Sequence, residues 1–244
     1  MILNPQDPTG VAPAVASVAS AQLPLVVVNS NLSDELAPKQ FCYVAEDQSA
    51  VAEKLGATIA KAAIKKFGDK PVKAVVVGGY SGETVTQVRN DGVIAGYKSV
   101  AGAPKITYLP TRYGEWLPDK ALTPVRDIAT ANPDLDIVFN LSDVMLPGVK
   151  QGLTDAGILD KTLIGSYDGQ MSVVKEMIDD PDGPVQADAS NEPYKQGQTA
   201  VDMAVDAVKG KSQDAVCPGG HLWVDTFLAT PADASKYYDA SRSY

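Results

Sequence analysis

The feature that most constrains this fold is a short apolar run that ends on a polar residue and is followed by a helical stretch, repeated along the chain. The runs LPLVVV, QFCYVA, KAVVVGG, DIVFNL and TLIGS end, in that order, at Asn29, Glu46, Tyr80, Ser142 and Tyr167. Short continuous apolar runs between helices are typical of parallel strands that are buried on both faces. Ligands of such sheets bind outside the carboxyl ends of the strands, so these polar residues predict one small-molecule site.

Composition excludes two classes of function. The chain has 244 residues, of which 45% are hydrophobic, and a formal net charge of -9, which is ordinary for a globular α/β protein. Its basic residues are scattered, whereas a nucleic-acid-binding protein needs a basic patch that neutralises phosphates. No stretch approaches the roughly 20 consecutive apolar residues of a membrane-spanning helix. We therefore predict no nucleic-acid partner and no membrane span.

The sequence offers no evident metal site and no evident catalytic site. Cys42, Cys217 and the single histidine, His221, match no zinc motif, so we predict no metal and no cofactor. The loop GGYSGET lacks the Gly-Lys-Ser/Thr ending of a phosphate-binding loop, and no serine lies in a nucleophile elbow. We therefore predict that the chain is not an enzyme. The two cysteines fall on strands of the same predicted lobe, where they either form a disulfide or remain two separate thiols.

Hydrophobic periodicity predicts a regular series of strands and helices. The predicted strands are 2–4, 23–28, 41–45, 73–78, 105–109, 136–141, 161–166 and 184–189, and the predicted helices are 9–21, 47–67, 83–99, 118–131, 144–156, 170–179 and 193–209. The tail 214–229 is predicted as an extended strand with an internal turn, paired with the sheet of residues 1–45. The chain would then form two lobes joined by a hinge of several crossings, residues 1–46 plus 191–244 and residues 47–190.

Several segments of the chain resemble the ribose-type periplasmic sugar-binding proteins of ABC importers. The resemblance is carried by ILNPQDPTGVAPAVASVASAQLPLVVVNSN, CYVAEDQ, VVVGGYSGETVTQVRNDGVIAGY, DLDIVFNLSDVMLPGV, IGSYDG and ASNEPYKQG. It implies an α/β fold of two Rossmann-like lobes with parallel sheets, the type I fold of periplasmic binding proteins, with a sugar held between the lobes. It also implies that the first two strand–helix units of the family have no counterpart here, so that the N-terminal lobe is incomplete.

The resemblance further implies a set of ligand-binding residues. By position in this sequence they are Asn4, Asn29, Glu46, Tyr80, Arg89, Trp116, Ser142, Tyr167, Asp168 and Asn191. Arg89 and Asp168 would form charge-assisted hydrogen bonds with the ligand, and Trp116 would pack against its C–H face. The family's Asp-Arg pair is replaced by Asn29 and Ser30, and its Asn-Asp pair by Ser142 and Asp143. Loss of the Asp-Arg pair removes a charged hydrogen-bonding pair for ring hydroxyls, so a polyol, a cyclitol or another hydroxylated molecule becomes a candidate ligand beside a sugar.

The same residues also have structural interpretations. Asp168 could cap the helix that follows it, Arg89 could lie on a solvated helix face, and Trp116 could be a core residue. Glu46 and Asn191, at the predicted hinge, could form hydrogen bonds that only support the fold. These alternatives remain open at the level of the sequence.

The function implied by the resemblance is that of a solute-binding component of an ABC importer. Such a protein binds a small hydroxylated molecule outside the cytoplasm, in the periplasm or on a lipid anchor, and presents it to a membrane permease. The start MILNPQDP shows no leader. The alternative is the effector-binding domain of a sugar-responsive transcriptional regulator of the same fold, a class that carries a helix-turn-helix. An incomplete lobe would also expose apolar faces and strand edges, which predicts either self-association of the chain or weak ligand binding.

Overall fold

The computed structural model describes residues 1–242, and these form two compact units. Unit 1 comprises Met1–Gln48, Glu83–Val85 and Asn191–Thr226, and unit 2 comprises Ser49–Gly82, Thr86–Ser190 and the chain from Phe227 onward. The sequence analysis placed the whole segment 191–244 in the first lobe. The structure differs from that prediction after Thr226, for a reason that lies in the pairing of the last strand.

Within residues 1–242, unit 1 contains a sheet of four parallel strands. They are ordered β1-β2-β3-β10, where β1 is Ile2–Leu3, β2 is Val26–Val28, β3 is Cys42–Ala45 and β10 is His221–Trp223. Helix α1 (Ala12–Ser20) covers one face of this sheet with Val15 and Val18. Helix α7 (Pro193–Val208) covers the other face with Ala200, and Met203 and Ala204 pack beside it. Apolar residues on both faces are what the continuous runs of the sequence predict.

Cys42 and Cys217 form a disulfide in unit 1, which confirms one of the two states that the sequence left open. Their Cα atoms are 5.9 Å apart and 175 positions separate them in the sequence. Both residues are fully buried, in a cluster that includes Val26 and Val44 of the sheet. The disulfide therefore attaches the segment that follows α7 to strand β3.

The prediction of an extended strand over residues 214–229, paired with the sheet of unit 1, is wrong in two respects. The segment begins in a helix, and its two strands join the sheets of different units. A one-turn helix, α8 (Gln213–Val216), precedes the disulfide, and only β10 pairs with the sheet of unit 1. The next strand, β11 (Leu228–Ala229), pairs antiparallel with β9 (Val185–Ser190) of unit 2. Because each of these strands is only two or three residues long, periodicity could not decide which sheet edge it joins.

Within the described residues, unit 2 contains a sheet of seven strands. Its order is β11-β9-β8-β7-β4-β5, with β6 also beside β4, and every neighbouring pair except β11 and β9 is parallel. The remaining strands are β4 (Val72–Gly78), β5 (Ile106–Tyr108), β6 (Arg112–Tyr113), β7 (Leu135–Asn140) and β8 (Leu163–Asp168). Strand β8 ends two residues later than predicted, so that Tyr167 and Asp168 lie on the strand itself.

Helices cover both faces of the unit 2 sheet, as expected for parallel strands. The helices are α2 (Gln48–Phe67), α3 (Thr84–Ser99), α4 (Pro118–Ala131), α5 (Leu146–Asp155) and α6 (Met171–Asp179). Leu55 and Ile59 of α2 and Tyr97 of α3 belong to the core on one face. Val125 of α4 and Val149 of α5 belong to the core on the other face. Among the helices of residues 1–242, none combines the length and the apolar character that crossing a bilayer requires.

Candidate ligand-binding site

Buried polar side chains collect at the carboxyl ends of three neighbouring strands of unit 2. The sheet order places β8 between β7 and β9, so the carboxyl ends of the three parallel strands lie side by side. The polar residues at these ends, all buried, are Asn140, Ser142, Asp143, Ser166, Asp168, Asp188 and Ser190. Burying so many polar groups is costly unless they bond to one another or to a ligand. This end of the sheet is therefore the candidate site in unit 2.

Arg89 and Asp168 form a buried ion pair at the centre of this site. Nη1 of Arg89 donates to Oδ1 of Asp168 at 3.1 Å and to the carbonyl oxygen of Leu141 at 2.8 Å. The guanidinium carbon of Arg89 lies 3.8 Å from the centre of the Tyr167 ring. Ser142 Oγ donates to Oδ2 of Asp168 at 2.6 Å. The structure thus brings together four of the residues predicted from the sequence, and Arg89 is not on a solvated helix face.

The charge state of Asp168 results from opposing effects. Burial raises its pKa above the ordinary value, because removal from water disfavours the carboxylate. The neighbouring Arg89 guanidinium and the hydrogen bond from Ser142 act in the opposite direction, since both favour the ionised form. A buried carboxylate that is paired with a guanidinium in this way is a strong hydrogen-bond acceptor for hydroxyl groups.

The backbone at Asp168 has a conformation that non-glycine residues rarely adopt. Its φ is 130°, and Gly169 follows with a φ of 75°. A Cβ atom on Gly169 would lie 2.6 Å from the Cβ of Ser190, so the glycine is required by space as well as by φ. Such conformations cost free energy and cluster at functional sites. The aromatic-Asp-Gly motif therefore corresponds to a strained turn that presents the carboxylate of Asp168.

Two further carboxyl groups, Asp143 and Asp188, lie beside Asp168 and were not among the predicted contacts. Oδ1 of Asp143 accepts a short hydrogen bond from Ser166 Oγ, and its Oδ2 accepts one from the Gln170 amide at 2.8 Å. Burial and the nearby Asp168 raise the pKa of Asp143 to about 8. Burial and the carboxyl groups of Asp143 and Asp168 raise the pKa of Asp188 well above its ordinary value. The one local signal in the sequence is that Gln186, Asp188 and Ser190 alternate with Val185, Ala187 and Ala189 along β9.

The aromatic residues of the predicted site differ in their surroundings. Tyr167 is fully buried, and its ring lies against the guanidinium of Arg89. Trp116 is half-buried and packs against both cores of unit 2. Its φ is 58°, and a Cβ atom on Gly79 would lie 1.9 Å from Cε2 of its ring. The indole thus lies directly on the backbone next to Tyr80, which is also half-buried.

The other predicted contacts, Asn4, Asn29, Glu46 and Asn191, belong to unit 1. Asn4 is exposed, and its Oδ1 accepts a long hydrogen bond from the Ser30 amide at 3.4 Å. Asn29 follows β2 with a φ of 60°. The Oδ1 of Asn29 is buried, and no group of the described residues donates a hydrogen bond to it. A ligand hydroxyl could supply that missing donor.

Glu46 and Asn191 are joined by a residue that the sequence analysis did not single out. Nε2 of Gln196 lies 2.7 Å from Oε2 of Glu46 and 2.6 Å from both the carbonyl oxygen and the Oδ1 of Asn191. Glu46 is fully buried. The amide of Gln196 therefore supports the hydrogen-bonding role that was the structural interpretation of Glu46 and Asn191.

The arrangement in unit 2 suits hydrogen bonding to a neutral ligand better than it suits metal binding. Among residues 1–242, no group of three or more histidine, cysteine or acidic side chains could hold a metal ion. The acidic groups instead bond to hydroxyl groups, to backbone amides and to Arg89. Carboxylates that accept from hydroxyls, with a guanidinium that donates, are the partners that a polyhydroxylated molecule needs.

Comparison with known proteins gives consistent matches. A sequence model of the family described as a periplasmic binding protein domain matches residues 1–212. The ribose import binding protein of Salmonella typhimurium is 26% identical over 220 residues, which cover 89% of this chain and 68% of that protein. The D-allose-binding periplasmic protein of Escherichia coli is 26% identical over 167 residues, which cover 68% of this chain and 50% of that protein.

Solved structures show the same architecture. An ABC transporter solute-binding protein from Mycobacterium smegmatis with bound glycerol matches with a TM-score of 0.84 and 28% identity, over 98% of this chain and 77% of that one. A galactofuranose-binding protein matches with a TM-score of 0.82 and 21% identity, over 97% of this chain and 77% of that one. The predicted α/β fold is confirmed by these matches.

Proposed function

We propose, because the chain belongs to the periplasmic binding protein domain family, that it is the solute-binding component of an ABC importer. Its ligand is a neutral hydroxylated solute, namely a sugar, a polyol or a cyclitol. The ribose and allose relatives and the solute-binding protein with bound glycerol support this ligand class. These relatives are import or solute-binding proteins, which favours this function over the effector-binding domain of a transcriptional regulator.

The observation that carries the proposal is the buried pair of Arg89 and Asp168. An ionised carboxylate offers about four lone-pair sites, and three on Asp168 are taken by Arg89, Ser142 and the Asp143 amide. The remaining site is on Oδ1, next to the guanidinium. A ligand hydroxyl placed there would donate to Asp168 and accept from Arg89. This geometry suits a hydroxyl group, which can donate and accept at once, whereas an anionic group could only accept and would face the carboxylate of Asp168.

The other proposed ligand contacts rest on different kinds of support. Trp116 and Tyr80 lie beside each other on the backbone of Gly79, and their packing against the ligand rests on the family resemblance. The same holds for Asn4, Glu46 and Asn191 of unit 1. Asn29 has additional support, because its buried Oδ1 lacks a donor within the described residues. Tyr167 acts through Arg89 and does not contact the ligand.

The test is a thermal-shift panel of pentoses, hexoses, polyols and cyclitols, followed by calorimetry with each compound that stabilises the protein. We expect at least one stabilising compound. Arg89→Ala should weaken its binding by about 1.5–3 kcal/mol, because a charge-assisted hydrogen bond is lost. The matched control is Arg126→Ala, which removes an arginine from an exposed ion pair with Asp127 and should leave affinity unchanged. Stabilisation by amino acids or nucleosides instead of hydroxylated compounds would contradict the proposal.

We propose an extracytoplasmic location, in the periplasm or on a lipid anchor, and a membrane permease as the partner. The buried disulfide supports this location, because such bonds form and persist in oxidising compartments. The family supports it as well. Fractionation of the native host, with the protein followed by an antibody, tests the location. Recovery in the cytoplasmic fraction would contradict it.

We also propose that copies of this chain self-associate through unit 1. Helix α7 presents an exposed apolar stripe, which we define as Tyr194, Val201, Val205 and Val208. Their spacing of seven, four and three residues places all four on one side of the helix. Apolar side chains that are exposed together on one side of a helix favour contact with another protein surface.

A further inference from the structure

Strand β10 of unit 1 carries an aromatic cluster that none of the contacts proposed above uses. Trp223 is 47% exposed, and its ring neighbours are His221 of the same strand and Tyr43 of β3. The three side chains lie on one face of the sheet, because the register pairs His221 with Tyr43 and Trp223 with Ala45. We infer that this face is a second, separate binding site, which takes the pyranose ring of a neutral carbohydrate.

A cavity of about 440 Å³ lies against this cluster. Small-molecule sites usually have volumes of about 300–1,000 Å³, so the cavity is large enough for one sugar ring. Its walls are the loop between β2 and β3, the ring of Tyr43, and the chain from Gln213 to Trp223. All of these segments belong to unit 1. The cavity therefore shares no residue with the candidate site of unit 2.

The indole of Trp223 is held in place by its neighbours. Its ring centre lies 5.8 Å from that of Tyr43, with the planes at 87°, and 4.6 Å from that of His221, with the planes at 39°. Tyr43 is buried, and its hydroxyl donates to the carbonyl oxygen of Asn29 at 2.7 Å. Nδ1 of His221 lies 3.2 Å from the carbonyl oxygen of Gly219. A large ring that is fixed and still accessible loses little entropy when a ligand stacks on it.

Three amide side chains supply hydrogen-bonding groups around the same cavity. Oε1 of Gln40 is buried, and no group of residues 1–242 donates a hydrogen bond to it. Oδ1 of Asn31 accepts from the Leu32 amide at 2.9 Å, which leaves its Nδ2 as the group that can donate to a ligand. Gln213, at the start of α8, adds a third amide. Each amide group can donate and accept, as a pair of neighbouring hydroxyls requires.

The charge of the lining limits the class of ligand. Among the described residues, no aspartate, glutamate, lysine or arginine lines this cavity. A charged ligand would therefore lose water without gaining a counter-ion, which is costly. A flat aromatic ring matches the C–H face of a sugar ring, and the amides match its hydroxyls. The combination favours a neutral pyranose over an ionic ligand and over a purely apolar one.

NMR titration tests this second site, because the chain has only two tryptophans, Trp116 in unit 2 and Trp223 in unit 1. Their indole N–H signals report on the two units separately. Methyl β-D-glucopyranoside and methyl β-D-galactopyranoside are each titrated, and D-glucitol, which has hydroxyls but no ring, is the control ligand. With at least one glycoside, the Trp223 signal and the side-chain amide signals of Asn31 and Gln40 should shift. Saturation should give a dissociation constant on the order of 1 mM, which is usual for a ligand of about a dozen heavy atoms.

Variants of the cavity assign the binding to its side chains. Trp223→Ala should weaken the binding that the Asn31 and Gln40 signals report by at least about tenfold, because the stacking surface is lost. Trp223→Phe keeps a flat ring and should stay within about threefold of the wild type. Gln213→Ala should weaken binding about two- to tenfold through a lost hydrogen bond. Gln198→Ala, the matched control, removes an exposed glutamine of α7 outside the cavity and should leave the affinity unchanged.

Three results would overturn the inference. They are a Trp223 signal that neither glycoside moves, equal shifts with D-glucitol, and an unchanged affinity of Trp223→Ala. Shifts confined to the Trp116 indole and the Gly169 amide would also overturn it, because they place the sugar in unit 2 alone. Shifts confined to unit 1 would support the second site even if the proposed site of unit 2 binds neither glycoside. The two proposals can therefore fail independently.

Discussion

At the scale of single residues, the disulfide between Cys42 and Cys217 makes the most direct prediction about stability. The bond closes a loop across a sequence separation of 175 and lies in the core of unit 1. Replacing both cysteines by serine should lower the free energy of unfolding of unit 1 by about 2–5 kcal/mol, because the unfolded chain gains freedom and two hydroxyls enter an apolar core.

Hydrogen exchange of the double serine variant locates the effect. Backbone amides of β2 and β3 should lose protection, whereas amides of β7 and β8 in unit 2 serve as the internal control. Wild-type protection of β3 in the variant would mean that the bond adds nothing to the stability of the sheet. Equal loss of protection in both units would assign the effect to the whole chain instead.

The residues of the candidate site were predictable to different degrees, for a physical reason. Arg89 and Asp168 lie in segments whose pattern resembles a known family, which predicted both as ligand contacts, and the structure pairs them with each other. Asp188 and Gln196 could not be predicted in the same way, because each acts on a neighbour that is distant in the sequence. Gln196 contacts Glu46 across 150 positions, and only the folded chain brings the two together. Tyr167 was predicted to contact the ligand, and its contact with Arg89 could not be predicted, because 78 positions separate the two residues in the sequence.

At the scale of helices and strands, local periodicity predicted the long elements well and the short ones poorly. Helix α2 has enough turns for its apolar face to be unmistakable, and β4 has seven residues that are nearly all buried. Strands β6 and β11 have two residues each, which is too few for any period to appear. Their positions are set by the sheet edges that they join. The location of β6 and β11 therefore depends on their pairing with distant strands, which the local sequence does not reveal.

The crossing of α2 and α3 gives a prediction at this scale, because the two helices approach closely at glycines. A Cβ atom on Gly96 of α3 would lie 1.9 Å from the carbonyl oxygen of Glu53 in α2. Gly96→Ala should therefore destabilise the protein by about 1–3 kcal/mol, since the helices must move apart. Urea unfolding monitored by circular dichroism measures the change.

The matched control is Gly197→Ala in the exposed part of α7, where no atom lies within 4 Å of the added Cβ. Here alanine should stabilise the helix by up to about 1 kcal/mol, because it loses less backbone entropy than glycine. The two variants make the same chemical change with opposite expected signs. Equal stability of the two variants would show that the close approach of α2 and α3 does not constrain Gly96.

At the scale of the whole molecule, each unit has its own sheet and its own core, and the sequence predicted that division from the order of its elements. The exceptions are the short segment Glu83–Val85, which belongs to unit 1, and the segment after Thr226. Phe227 forms two hydrogen bonds with Ser190 and its ring stacks on Tyr237, so this segment packs with unit 2. Aromatic contacts of this kind have no local signature. The sequence alone therefore could not show that the segment after Thr226 belongs to unit 2.

The apolar stripe of α7 makes the last prediction, which concerns the association of whole chains. Val201 is 51% exposed and lies at the centre of the stripe, where a charged side chain would oppose contact with a second copy. The mass measured by light scattering for the wild type should rise above 25.6 kDa as concentration increases. Val201→Lys should return it toward that value.

Leu23→Lys is the matched control, because Leu23 is 56% exposed on unit 1 but lies outside the stripe. It introduces the same charge at an equally accessible apolar position, so its effect on solubility should be the same as that of Val201→Lys. Its association should nevertheless stay that of the wild type. A wild-type mass that remains at 25.6 kDa at every concentration would contradict the proposed self-association. Equal dissociation by the two variants would show that net charge, and not the stripe on α7, governs the contact.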